Sequence, residues 1–79
     1  MRVRVLYFAS LRDAAGRDAE ELEIEPTSLA QLYDQARARH GFALQRERLR
    51  VAVDGSFSSW DAAPHEGAEI AFIPPVSGG

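Results

Sequence analysis

The chain has 79 residues, a net charge of −3 and an apolar fraction of 46%. These values describe one small domain with enough apolar side chains to fold, and no apolar run long enough to span a bilayer. There is no cysteine, which excludes disulfides, thiolate metal sites and a thiol nucleophile, and the scattered positive charge leaves no footprint for nucleic acid.

Residues 2–8, Arg-Val-Arg-Val-Leu-Tyr-Phe, predict a strand rich in β-branched and aromatic residues. Val3, Val5 and Tyr7 share one face; Arg2, Arg4, Leu6 and Phe8 share the other. Both faces become apolar toward the end, so both have something to cover. Ser10-Leu11-Arg12-Asp13 reads as a capping box opening a short helical turn that Gly16 ends. From Glu20 to Glu25 the pattern alternates, with Leu22 and Ile24 inward and Glu21, Glu23 and Glu25 on a solvated face, as on an edge strand. With no histidine expected near them, those carboxylates read as surface charge rather than catalytic or metal-binding groups.

Pro26 closes that strand. Ser28, with Gln31 three residues on, caps a helix whose buried stripe is Leu29, Leu32, Tyr33, Ala36 and His40, and Gly41 ends it. Phe42 and Leu44 drop into the core, and Gln45 to Arg48 is a polar connection. Leu49, Val51 and Val53 alternate as a strand, Asp54-Gly55 signals a hairpin, and Phe57 and Trp60 belong to a short returning strand. Pro64 to Gly67 spells a turn, and Ala68 to Ile73 is the last strand, with Ile70 and Phe72 on one face and Ala71 and Ile73 on the other. One amphipathic helix against a small mixed sheet, with the last strand beside the first, gives an α+β, β-grasp (ubiquitin-like) layout. Residues 1–73 form the domain and residues 74–79 an extended tail. Leu6, Phe8, Phe57 and Ile73 then fall on the open sheet face as a docking patch.

The tail is Pro74-Pro75-Val76-Ser77-Gly78-Gly79. The prolines favour extended geometry, and six residues span at most about 20 Å. Gly78 and Gly79 project nothing from the backbone, so they suit a narrow channel. The group on offer is the Gly79 carboxylate, a poor electrophile at neutral pH that becomes reactive only when a partner activates it. An incidental frayed end is the bland alternative. All nine basic residues are arginine. Host composition bias accounts for that; so does the advantage, to a chain with an activated end, of carrying no side-chain amine to capture it.

Val5-Leu6-Tyr7-Phe8-Ala9-Ser10-Leu11-Arg12, Val51-Ala52-Val53-Asp54 and Gly67 through Gly79 resemble the small-subunit family of molybdopterin synthase, over essentially the whole length. The resemblance implies a sulfur carrier, itself without catalytic residues, and cytoplasmic. An adenylyltransferase like the ubiquitin-activating enzymes would use ATP to adenylate Gly79, and a sulfur donor enzyme would convert it to a thiocarboxylate. The large subunit would take in Pro75, Val76, Ser77 and Gly78 and pass the Gly79 sulfur to cyclic pyranopterin monophosphate, in a tetramer of two small and two large subunits. By the same resemblance Phe8, Arg12, Phe57 and Ile73 face partners, and the chain itself binds no cofactor or metal and meets no nucleic acid or membrane. Ile73 stands where relatives often carry phenylalanine, and Asp54 where they often carry asparagine. The alternatives are a carrier for thiamine or tRNA thiolation and a ubiquitin-like protein modifier.

Overall fold

The computed structural model describes residues 1–25 and 27–75. The turn expected of Pro26 and the tail residues Val76, Ser77, Gly78 and Gly79 lie outside them. In chain order the elements are β1 (Arg2–Tyr7), α1 (Ala9–Ala15), β2 (Ala19–Glu23), α2 (Leu29–His40), a 3₁₀ turn (Arg46–Arg48), β3 (Arg50–Val53), β4 (Ser56–Ser58) and β5 (Glu69–Ile73). The five strands form one mixed sheet in the order β2-β1-β5-β3-β4. Its centre is the parallel pair β1–β5, with Val5 opposite Ile70 and Tyr7 opposite Phe72. Antiparallel hairpins extend it on both sides. This is the β-grasp expected from the sequence.

α2 forms where its local signals agree. The Ser28 side chain accepts from the Gln31 backbone N–H at 3.2 Å, the Gln31 side chain accepts from the Ser28 N–H, and Gly41 closes the helix in the left-handed region at φ 74°. Leu29, Leu32, Tyr33 and Ala36 are buried against the inner sheet face of Val3, Val5, Tyr7, Val51, Ile70 and Phe72. Tyr33 is the centre of an aromatic cluster with ring centroids at 5.1 Å to Phe72, 5.9 Å to Trp60 and 6.0 Å to Phe42.

Two local expectations are corrected. The first helix has Phe8, not Ser10, at its N-cap, and no side chain caps it. Ser10 lies inside the helix, because β1 stops at Tyr7 and the chain turns at Ala9, which takes a left-handed φ of 51°. Trp60 is outside β4; it leaves the sheet in the following turn and lies over Phe72, with ring centroids 6.1 Å apart. The Asp54-Gly55 hairpin stands as expected, with φ of 51° and 89°, the positive pair that a type I′ turn requires.

Candidate functional site

Strand pairing sorts the outer sheet face into rows. At the end where β1 begins, Arg2 pairs with Glu23, and Arg4 lies between Glu21 and Glu69. One row further along, Ala19, Leu6, Ala71, Ala52 and Phe57 line up across all five strands. The next row places Ile73 opposite Arg50, and there β5 ends and Pro74 begins. The face is thus charged at one end and apolar where the chain leaves the sheet. α2 covers the inner face, and among the described residues nothing covers this apolar end: Phe8 is 44% exposed and Phe57 60%.

Two shallow grooves flank the exit. One, of about 540 Å³, is lined by Phe8, Ala9, Ser10, Asp13, Ile73, Pro74 and Pro75. The other, of about 370 Å³, is lined by Glu47, Arg48, Leu49, Arg50, Phe57, Ile73, Pro74 and Pro75. Ile73, half-buried, is the ridge between them. The Arg50 guanidinium lies over the Phe57 ring at 4.0 Å, a cation–π contact that holds both side chains against the sheet. Of the expected partner-facing residues, Phe8, Phe57 and Ile73 are brought together here. Arg12 lines neither groove; its Nε is 3.9 Å from both Asp13 and Asp18 on the exposed side of α1. Gly79, Gly78, Ser77 and Val76 lie outside the described residues, and Pro75 is exposed at their threshold.

A second polar cluster was hidden in the sequence. Glu20 shares the parity of Leu22 and Ile24, so it points inward and is 8% exposed. Its Oε2 accepts hydrogen bonds from the Tyr7 hydroxyl and from His40 Nε2, the latter at 2.7 Å, and Arg17 is 3.8 Å from Oε1. The expectation that no histidine stands near these carboxylates fails here, because α2 delivers His40 from twenty positions away. Burial by itself raises the Glu20 carboxyl pKa, but the Tyr7 and His40 hydrogen bonds outweigh it and hold the group below its ordinary value. Tyr7, desolvated and bonded to Glu20, is held well above the usual phenol range. The cluster ties the end of β1, just before Phe8, to the edge strand and to the end of α2.

This predicts an acid-sensitive stability. A carboxylate with a depressed folded-state pKa stabilises the fold above its unfolded pKa, and that contribution is lost as pH falls through the folded value. Glu20→Gln is expected to cost about 1–3 kcal/mol at neutral pH, since it weakens a buried network. It should also flatten the dependence of the urea midpoint on pH in the carboxylate range. Parallel pH profiles for the variant and the natural chain would contradict the assignment.

At the end of the sheet away from the exit, Asp54 accepts from the Glu69 N–H at 2.9 Å and from His65 Nε2 at 2.7 Å. These bonds, the Glu69 N–H first, hold the Asp54 carboxyl below its ordinary pKa. The Asp54 carboxylate thus fastens the hairpin turn to the start of β5, far from the tail. Among the described residues no group of three or more histidine or carboxylate side chains is placed to hold a metal, and no helix is long and apolar enough to cross a membrane.

Residues 5–79 match the model of the ThiS family. The molybdopterin synthase sulfur carrier subunit of Escherichia coli is 35% identical over 80 residues, covering 98% of this chain and 99% of that one. Among solved structures, the putative molybdopterin converting factor subunit 1 of Pyrococcus furiosus superposes with a TM-score of 0.79 at 31% identity, covering 96% of this chain and 99% of that one. A protein–protein complex of subunits 1 and 2 of molybdopterin-converting factor from Helicobacter pylori contains a chain of the same fold, with a TM-score of 0.69 at 19% identity and full coverage of both chains.

Proposed function

The chain belongs to the ThiS family, and from that premise we propose that it is the sulfur carrier subunit of a molybdopterin synthase. The observation that carries the reading is the exit: β5 runs straight into Pro74-Pro75 between two grooves of an uncovered apolar face, and the sequence from there ends in Gly78-Gly79. A carrier needs both parts, a surface for a partner to hold and a slim reactive end for that partner's active site.

In this reading an adenylyltransferase joins the Gly79 carboxylate to the AMP moiety of ATP, releasing pyrophosphate. A sulfur donor enzyme supplies the sulfur that displaces AMP, leaving a thiocarboxylate. That group is an anionic sulfur nucleophile at neutral pH, so the carrier needs no cysteine. The large subunit holds the Phe8, Phe57 and Ile73 patch and receives the tail. Sulfur passes to cyclic pyranopterin monophosphate, and Gly79 returns to the carboxylate on hydrolysis. The acids, bases and substrate pocket belong to the large subunit, the whole acting in the cytoplasm.

The test uses the chain with a chemically installed C-terminal thiocarboxylate, mixed with the large subunit from the same cell and cyclic pyranopterin monophosphate. Dithiolene product in proportion to carrier consumed is expected. No product from intact thiocarboxylate would overturn the pathway and favour thiamine or tRNA thiolation. Phe8→Asp is expected to weaken large-subunit binding by roughly 30-fold, the effect of losing a central apolar anchor. Its circular dichroism should be unchanged, because Phe8 is outside the core; unchanged affinity would remove Phe8 from the docking face.

A further inference from the structure

We propose that the exit is built not to capture its own cargo: the rim of the tail exit carries cations that cannot attack an activated C-terminus, so a copy does not acylate its own rim. The inference rests on the reading that Gly79 is activated, and adds what the surface does once it is.

An acyl-adenylate is open to any neutral amine within reach. The amine nitrogen attacks the carbonyl, a C–N bond forms, the acyl–phosphate bond breaks, AMP leaves and the amine gives a proton to solvent. A lysine with an ordinary pKa of about 10.4 is roughly 0.1% neutral near pH 7.4. A tethered acyl group nevertheless meets it at an effective concentration on the order of millimolar. Arginine stays protonated and delocalised and offers no such nucleophile.

The rim is where this difference matters. Arg50 is the cross-strand neighbour of Ile73, the last residue of β5, and directly opposed side chains start only about 5 Å apart. Arg48 and Arg50 line the same groove as Pro74 and Pro75. The six residues beyond Ile73 span up to about 20 Å, which brings these positions within range of the end of the chain. The sequence has no lysine; all nine of its lysine-or-arginine residues are arginine. The amine of Met1 lies at the other end of β1, donates to the Ile24 carbonyl at 2.7 Å and pairs with Glu23 at 3.4 Å. It is set about 20 Å from the exit by the length of β1, at the limit of the tail's reach. Whatever supplied the arginines, the chemical result is the same: the rim leaves the activated end to an external sulfur nucleophile.

The experiment uses the full chain bearing a C-terminal aryl thioester, which loses a thiol where the adenylate loses AMP. The natural chain is expected to give no product that joins Gly79 to residue 48 or 50. Arg50→Lys is expected to cyclise, giving a product one water lighter whose fragments join residue 50 to Gly79, with aminolysis at least about tenfold above that of the natural chain. Arg2→Lys, at the far end of the sheet and near the limit of the tail's reach, is expected to cyclise far less than Arg50→Lys. A product joining Gly79 to residue 48 or 50 in the natural chain, or hydrolysis alone from Arg50→Lys, would overturn the proposal. Chemical activation bypasses the activating enzyme and the pterin, so this result is independent of the dithiolene assay.

Discussion

Deletion of Gly78 and Gly79 is expected to abolish dithiolene formation while leaving the body folded. The deletion moves the carboxylate to Ser77, shortens the reach of the tail by about 7 Å and replaces the slim approach with a side chain. Reacting groups misplaced by far less lose about 100-fold in rate, so turnover should fall below detection. The buried core of the described residues ends at Phe72, before the tail begins. The unfolding free energy, read from the urea midpoint at constant slope, should therefore change by no more than about 0.5 kcal/mol, as for a change outside the core. Residual activity near that of the full chain would mean the tail is incidental. An unfolded deletion variant would mean it supports the body.

Phe72→Ala is expected to do the reverse. Phe72 is fully buried, is 5.1 Å from Tyr33 and 6.1 Å from Trp60 between ring centroids, and sits on β5 between Tyr7 and Val51. Removing such a ring costs about 3–5 kcal/mol. A domain of this size has a total stability of roughly 4–12 kcal/mol, so the variant should lose a large part of its fold, read as the urea midpoint at constant slope. Ile73→Ala, one residue on but on the outer face, should cost far less stability and act on partner binding. Equal destabilisation by the two substitutions would contradict the division of β5 into a core face and a docking face.

Much of the fold was legible because its signals are local. Ser28 and Gln31 are one helical turn apart, Gly41 ends the same helix, and Asp54-Gly55 selects its own turn; each choice is fixed by backbone sterics and nearby hydrogen bonds. Alternation placed Ile70 and Phe72 inside and Ile73 outside. The same alternation would have turned Glu20 inward with Leu22, but a carboxylate in a run of carboxylates reads as surface charge until a buried partner is known.

The sequence by itself determined the order of strands and helix, the apolar inner faces and the Pro-Pro-Val-Ser-Gly-Gly end, because period, capping and turn chemistry act within a few residues. Only the tertiary structure decided that His40 and Tyr7 meet Glu20, and that Phe8 and Phe57, expected on the open face, line separate grooves on either side of Ile73. Those are contacts between residues far apart in the chain. They exist because the sheet places β5 between β1 and β3, a choice set by burying the whole core at once rather than by any one segment.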